Sequence, residues 1–281
     1  MDSVEHSPTT EVTEKKTSER FSDSSIADVT FVSKDGVHFC IQKKYMEATS
    51  GGFPPLEFDT RGEIVPLEES SKTLELLFQF MYPQRPPRVA DLDFEVLVPL
   101  AEAAEKYEVF SAMEFCYIQI SATLPEHAAA ILTYAAKHGY AELVDAAAPL
   151  LISFPLGDIA TSLPENLLSS WIRYYGEWIN VLQKACAFDP PILDPFPVPT
   201  SIGEAMDSAR RREVVAKWKS DRCSEVLAHS LGGKVSSLQD LPRVLKTVTS
   251  AVPKISKNIL EKWEQEVNRS VAAIPKFSIL L

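Results

Sequence analysis

Along this chain the spacing of apolar positions separates a short β-rich opening from a long helical remainder. Asp28 to Ser33 alternates and is rich in β-formers, Lys34-Asp35-Gly36 carries the aspartate-glycine turn signal, and Val37 to Ile41 supplies a return strand. From Gln42 to Ala48 the spacing turns helical, with Tyr45 and Met46 on one side and Lys43, Lys44 and Glu47 on the other. Gly51-Gly52 and Pro54-Pro55 then interrupt. Glu63 to Leu67 reads as a short strand, and Ser70-Ser71 can cap a helix from Lys72 to Met81 that buries Leu74, Leu77, Phe78 and Met81. Phe94 to Tyr107 is helical apart from Pro99, where a kink or a fresh start is expected. Ser111 to Ile120 gives one more helix.

The remainder reads as almost entirely helical. Glu126 to His138 and Ala141 to Ser153 form an alanine-rich hairpin around Gly139, which suits a left-handed helix cap. Pro164 opens a helix reaching Ala185, whose stripe is expected to hold Leu168, Trp171, Ile172, Tyr175, Trp178, Ile179 and Leu182, with Arg173 and Glu177 in solvent. Pro190, Pro191, Pro195, Pro197 and Pro199 make an extended connector over 189–200. Further helices follow from Ile202 to Ser230, ended by Gly232-Gly233, from Pro242 to Ala251, and from Lys254 to Ala273.

Composition changes this picture at the start of the chain. Residues 1–21 are polar and charged, too poor in large apolar groups to offset ordering entropy, and a disordered tail is expected there. The 281 residues are 45% hydrophobic, enough for a sizeable core in two compact units. Of 39 acidic and 28 basic side chains, residues 1–125 carry 22 and 11, so the whole net charge of -11 lies in that half. Such a surface suits basic protein partners and disfavours nucleic acid. No apolar run approaches the ~20 residues needed to span a bilayer, and the opening residues lack a signal-peptide pattern, so cytoplasm or nucleus is expected.

Candidate chemistry is sparse. Cys40, Cys116, Cys186 and Cys223 lie far apart and read as reduced, mostly buried thiols. His6, His38, His127, His138 and His229 are scattered outside any catalytic motif; His138 and His229 sit where a cation favours a helix C-terminus. Gly232-Gly233-Lys234 lacks the upstream glycine and preceding strand of a phosphate loop and reads as a helix stop. Trp171, Tyr174, Tyr175 and Trp178 could stack a ligand, but beside Leu168, Ile172 and Leu182 at helical spacing they read as core. No catalytic, cofactor-binding or metal-ligating set emerges. Arg210, Arg211, Arg212, Lys217 and Lys219 form a candidate patch for an anionic partner, set against the competing reading of a solvated amphipathic helix with Val214, Val215 and Trp218 on its apolar side.

Three separated segments, Asp28-Val29-Thr30-Phe31, Phe39-Cys40-Ile41-Gln42-Lys43 with Ser50 and Phe53, and Ala103-Ala104-Glu105-Lys106-Tyr107-Glu108-Val109, resemble the BTB (POZ) family in order and spacing. The resemblance covers about a third of the chain. It implies an α+β class, a BTB/POZ fold over 22–123 followed by an all-helical C-terminal domain: a region over 124–188 similar to the BACK extension, then helices over 201–281. Short two-part chains of this kind look like those of large fungal BTB groups. In relatives that form intertwined dimers, the positions of Asp28 and Lys43 face each other in a charged interface pocket; Gln42 stands where the family has histidine, which removes a titratable group. The resemblance implies a non-enzymatic protein-interaction role, either as a substrate adaptor for a cullin-type ubiquitin ligase or, alternatively, as a nuclear transcription or chromatin regulator that uses the module for self-association. The polar start and the interruption after Ser50 imply a monomer or a weak homodimer.

Overall fold

A computed structural model describes residues 16–53, 64–88, 92–187, 225–251 and 257–281. The class is mixed α+β and mostly helical. The chain divides into two units, residues 1–126 and 127–281.

In the first unit β1 (Val29–Val32) lies between β2 (His38–Ile41) and β3 (Ile64–Pro66). β1 pairs antiparallel with β2, Phe31 opposite Phe39, and parallel with β3, Phe31 opposite Val65. The hairpin turns at Gly36, whose φ of +80° a side chain would resist. Alternation along β1 sends Val29 and Phe31 inward. There they meet α2 (Ser71–Gln79), whose buried side carries Leu74, Leu77 and Phe78. Phe78 packs on Phe31 at 5.7 Å and on Phe39 at 5.4 Å, so one ring ties the helix to both strands. Ser70 accepts the Thr73 N–H and caps α2, as expected. A second cap comes from the hairpin turn, where Asp35 accepts the Ser71 N–H at 2.7 Å and the Ser71 hydroxyl at 2.6 Å.

Two sequence expectations change here. Order begins by Lys16, ahead of the expected end of the tail at residue 21; residues 1–15 lie outside the described residues. Thr17 forms a parallel bridge to His38, Cys40 N–H donates to Phe21 O, and Phe21 is buried against Phe39, Phe78 and Tyr82. The core supplies what local composition lacks. The second concerns Pro99: of the kink or fresh start expected there, the fresh start does not occur, because α3 (Phe94–Lys106) continues through it as one helix. Only one helical N–H is lost, and Leu97, Leu100, Ala101 and Ala104 are all buried around it.

α4 (Phe110–Ala122) closes the first unit, and α5 (Leu124–His138) carries one residue with non-helical dihedrals, His127. Gly139, at φ +78°, ends α5 as expected, and Tyr140 N–H donates back to Ala135 O. The second unit continues with α6 (Ala141–Leu151), α7 (Leu156–Ser162), α8 (Glu165–Cys186), α9 (225–231), α10 (Leu241–Ala251) and α11 (Lys257–Ala272). α7 has no counterpart in the sequence reading. Along α8 the buried stripe is Leu167, Trp171, Tyr174, Trp178, Val181 and Leu182, while Ile172 is 61% exposed. The expected stripe was therefore turned by about one residue, although Trp171, Trp178 and Leu182 are buried and Arg173 and Glu177 exposed as anticipated. Trp263 of α11 donates its indole N–H to Ala185 O at 3.1 Å and locks the two helices. The proline connector and most of the expected helix from Ile202 lie outside the described residues.

Candidate interaction surface

The three family-like segments meet in space. α1 (Lys43–Thr49) ends at Ser50, whose N–H and hydroxyl both donate to Met46 O. Ser50 then bridges Val109 antiparallel, Gly51 N–H donates to Glu108 O, and Gly52 N–H donates to Tyr107 O. Gly52 has to be glycine, since a Cβ there would lie 2.7 Å from the Tyr107 carbonyl carbon and from the Lys106 oxygen. The expected interruption of the helix at Gly51-Gly52 is thus a docking strip for the end of α3; Pro54 and Pro55 lie outside the described residues.

Lys106 and Tyr107 hold a carboxylate. Tyr107 donates its hydroxyl to Glu69 Oε2 at 2.7 Å, and Lys106 Nζ bonds Glu69 Oε1 at 2.8 Å. Burial pushes the Glu69 carboxyl up, yet the bonds from Lys106 and Tyr107 outweigh it and leave the group below its ordinary value. Burial, aided by the bond to Glu69, pushes the Tyr107 phenol up to about 12. Lys106 is raised chiefly by its bond to Glu69. These residues therefore fasten the β3–α2 connection to α3.

The site residues expected from the sequence fare unequally. Asp28 and Lys43 are brought together, but through the backbone: Asp28 Oδ2 accepts the Lys43 N–H at 2.9 Å, at the first turn of α1. Asp28 thereby supplies the capping acceptor that Gln42, at the N-cap position, does not. Lys43 Nζ also lies 3.4 Å from Glu47, one turn along α1. The Gln42 N–H donates to the Tyr82 hydroxyl at 3.0 Å, and Tyr82 packs on Tyr45 at 4.6 Å. Arg210, Arg211, Arg212, Lys217 and Lys219 lie outside the described residues.

The sequence reading assigned no outer face to α4. Ala112, Cys116 and Ile120 face the core, and burial pushes the Cys116 thiol up to about 12, so it is no nucleophile at neutral pH. On the opposite side Phe110 is 58%, Phe115 41% and Ile118 51% exposed. At 3.6 residues per turn these three fall within an arc of roughly 140°, shared with exposed Ser111 and Glu114. Phe115 is steadied by Phe80 at 5.7 Å. The signal was present in Phe110-Ser111-Ala112-Met113-Glu114-Phe115-Cys116-Tyr117-Ile118, where apolar residues surround the helix and so call for burial on two sides.

In the second unit Gly232 and Gly233, at φ +60° and +66°, stop α9 in agreement with the helix-stop reading. A cavity of about 540 Å³ opens beside them, rimmed by exposed Lys234, Asp240 and Arg243. Among the described residues no three His, Cys, Asp or Glu side chains converge as a metal site would require, and no helix is long and apolar enough to cross a membrane. No protein-family model matches this sequence, and none of the curated proteins compared with it matches either.

Proposed function

We propose that this chain is a non-enzymatic protein-interaction protein whose first unit is a BTB-like docking module, acting as an adaptor to a cullin-type ubiquitin ligase. The observation that carries the reading is the α4 arc of Phe110, Phe115 and Ile118, three large apolar side chains left in water on a helix whose other side is fixed in the core. Clustered exposed apolar groups on a soluble fold are typical of a surface that a partner covers. Glu114 inside the arc and the acidic balance of residues 1–125 favour a partner helix carrying basic residues beside its apolar stripe. Ser50 and Phe53 meet Tyr107 and Val109 at the Gly51–Tyr107 junction, and Phe31 of the first BTB-like segment packs on Phe53 at 5.7 Å, contacts that support the resemblance behind the adaptor role.

Affinity purification of the tagged chain, blotted for cullin and for histone, tests the proposal. Cullin capture that is lost in a Phe115→Glu chain supports the adaptor. Histone capture without cullin supports the nuclear alternative.

A further inference from the structure

Three pieces of the second unit build the cavity beside Gly232 and Gly233. The end of α9 supplies Leu231, and the 3-10 turn Val235–Gln239 supplies Ser237. Asp240 and, on α10, Arg243, Val244 and Thr247 complete the wall. These four stand at i, i+3, i+4 and i+7, the spacing that puts side chains on one side of a helix. The left-handed backbone of the two glycines reverses the chain after α9. Lys234 N–H then donates to Leu231 O at 3.2 Å, which sets Lys234 on the same rim. The helix stop therefore shapes the cavity.

Charge and hydrogen-bonding capacity define what fits. Among the described residues neither Lys234 nor Arg243 makes an ion pair or a side-chain hydrogen bond. Arg20, Lys43, Lys106 and Lys276, by contrast, each pair with an acid. Asp240, the one acid among the described lining residues, turns Oδ1 to the Arg243 N–H at 3.4 Å. Two cations against one acid leave this rim positive in a chain of net charge -11. The hydroxyls add a second requirement. Ser237 donates its proton to Leu231 O at 2.8 Å, and Thr247 donates its own to Arg243 O at 3.1 Å. What remains to both is the capacity to accept. Leu231 and Val244, both buried, make the wall partly apolar. At about 540 Å³ the space is that of a small-molecule site.

We infer that this cavity binds a small phosphorylated polyol of the size of a sugar phosphate. The phosphate takes Lys234 and Arg243, the hydroxyls donate to Ser237 and Thr247, and the carbon skeleton lies against Leu231 and Val244. A phosphate suits this pair better than a carboxylate does, because its three terminal oxygens accept the guanidinium fork and the ammonium together. The site belongs to the second unit and does not depend on what α4 engages.

Calorimetric titration of the full chain with ribose 5-phosphate, in phosphate-free buffer, tests the inference. The parent is expected to bind saturably with a Kd of about 1 mM or tighter, and to bind ribose and inorganic phosphate at least about tenfold more weakly. Lys234 and Arg243 are exposed, so their replacement leaves the core intact. Lys234→Gln and Arg243→Gln should each lose about tenfold or more in affinity, as removal of one charge-assisted contact does. Should one of them melt below the parent, the other decides. Lys246→Gln removes an exposed charge of α10 that does not line the cavity, and it should bind like the parent. No binding by the parent, inorganic phosphate bound as tightly as the ester, unchanged binding by Arg243→Gln, or an equal loss in Lys246→Gln overturns the inference.

Discussion

Phe53 lies flat on Tyr107, ring centroids 4.4 Å apart and planes 10° from parallel. This stack and the Gly52 N–H bond to Tyr107 O join the strip after α1 to the end of α3. A Gly52→Ala chain forces a methyl against the Tyr107 backbone, which cannot rotate away, and is expected to lose ~1–3 kcal/mol, the usual range for overpacking. Urea unfolding of the two chains measures it; an unchanged midpoint would show that the strip does not dock in this way.

Phe78 should be the most costly single truncation in the first unit, because it contacts Phe21, Phe31 and Phe39 together. Phe78→Ala is expected to cost ~3–5 kcal/mol. That is a large share of an ordinary domain's stability. Melting within a few degrees of the parent contradicts the aromatic core as described.

The two acids at helix starts make separable predictions. Asp28→Ala removes the acceptor of the Lys43 N–H and should cost ~1 kcal/mol, as loss of a cap does, without changing the molecular mass in solution. Lys43→Glu should leave the mass unchanged as well. If charge reversal at Lys43 abolishes a dimer measured by light scattering, an interface pocket of Asp28 and Lys43 is the better account.

Asp35 gives a dependence on pH. Its hydrogen bonds from Ser71 hold the carboxyl down at about 2, against an ordinary 3.8. A depressed carboxyl stabilises the fold above its unfolded value, and the contribution drains away as pH falls from 3.8 through about 2. Asp35→Asn should therefore melt below the parent at neutral pH and converge with it near pH 2. A gap that is constant over this window shows that the loss is one of shape and not of charge.

How much of this was legible in the sequence depends on where each burial decision is made. The hairpin at Gly36, the Ser70 cap and the Gly139 stop are local, and their residues announce them. Phe21 was hidden by polar neighbours because its burial is granted by Phe39, Phe78 and Tyr82, which are distant in sequence. On α8 the aromatic and aliphatic residues flank each other, so the sequence alone does not choose between Ile172 and Tyr174; Tyr174 is the one that packs, on Phe277 at 5.3 Å, Trp171 at 5.7 Å and Trp178 at 6.3 Å. α7 is a single short helix with Pro155 and Gly157 at its start, too brief to establish a period. Asp28 and Lys43 were paired by family resemblance alone, and their meeting is a backbone cap that no side-chain pattern encodes. The α4 arc was readable from the helix's apolar excess, but which side faces the core is fixed by tertiary packing.

Self-association should be weak. Residues 16–21 pair with the chain's own β2, which covers that sheet edge. Light scattering should give the monomer mass of 31.2 kDa at low concentration. A dimer mass that persists on dilution contradicts this.

The central claim is that the exposed side of α4 engages a partner, and calorimetric titration of the purified chain with a cullin N-terminal fragment tests it most directly. The account predicts saturable binding by the parent and at least about tenfold weaker binding by Phe115→Glu and Ile118→Glu chains that melt like the parent, the loss expected of residues central to an interface. No binding by the parent, or equal binding by all three chains, contradicts it.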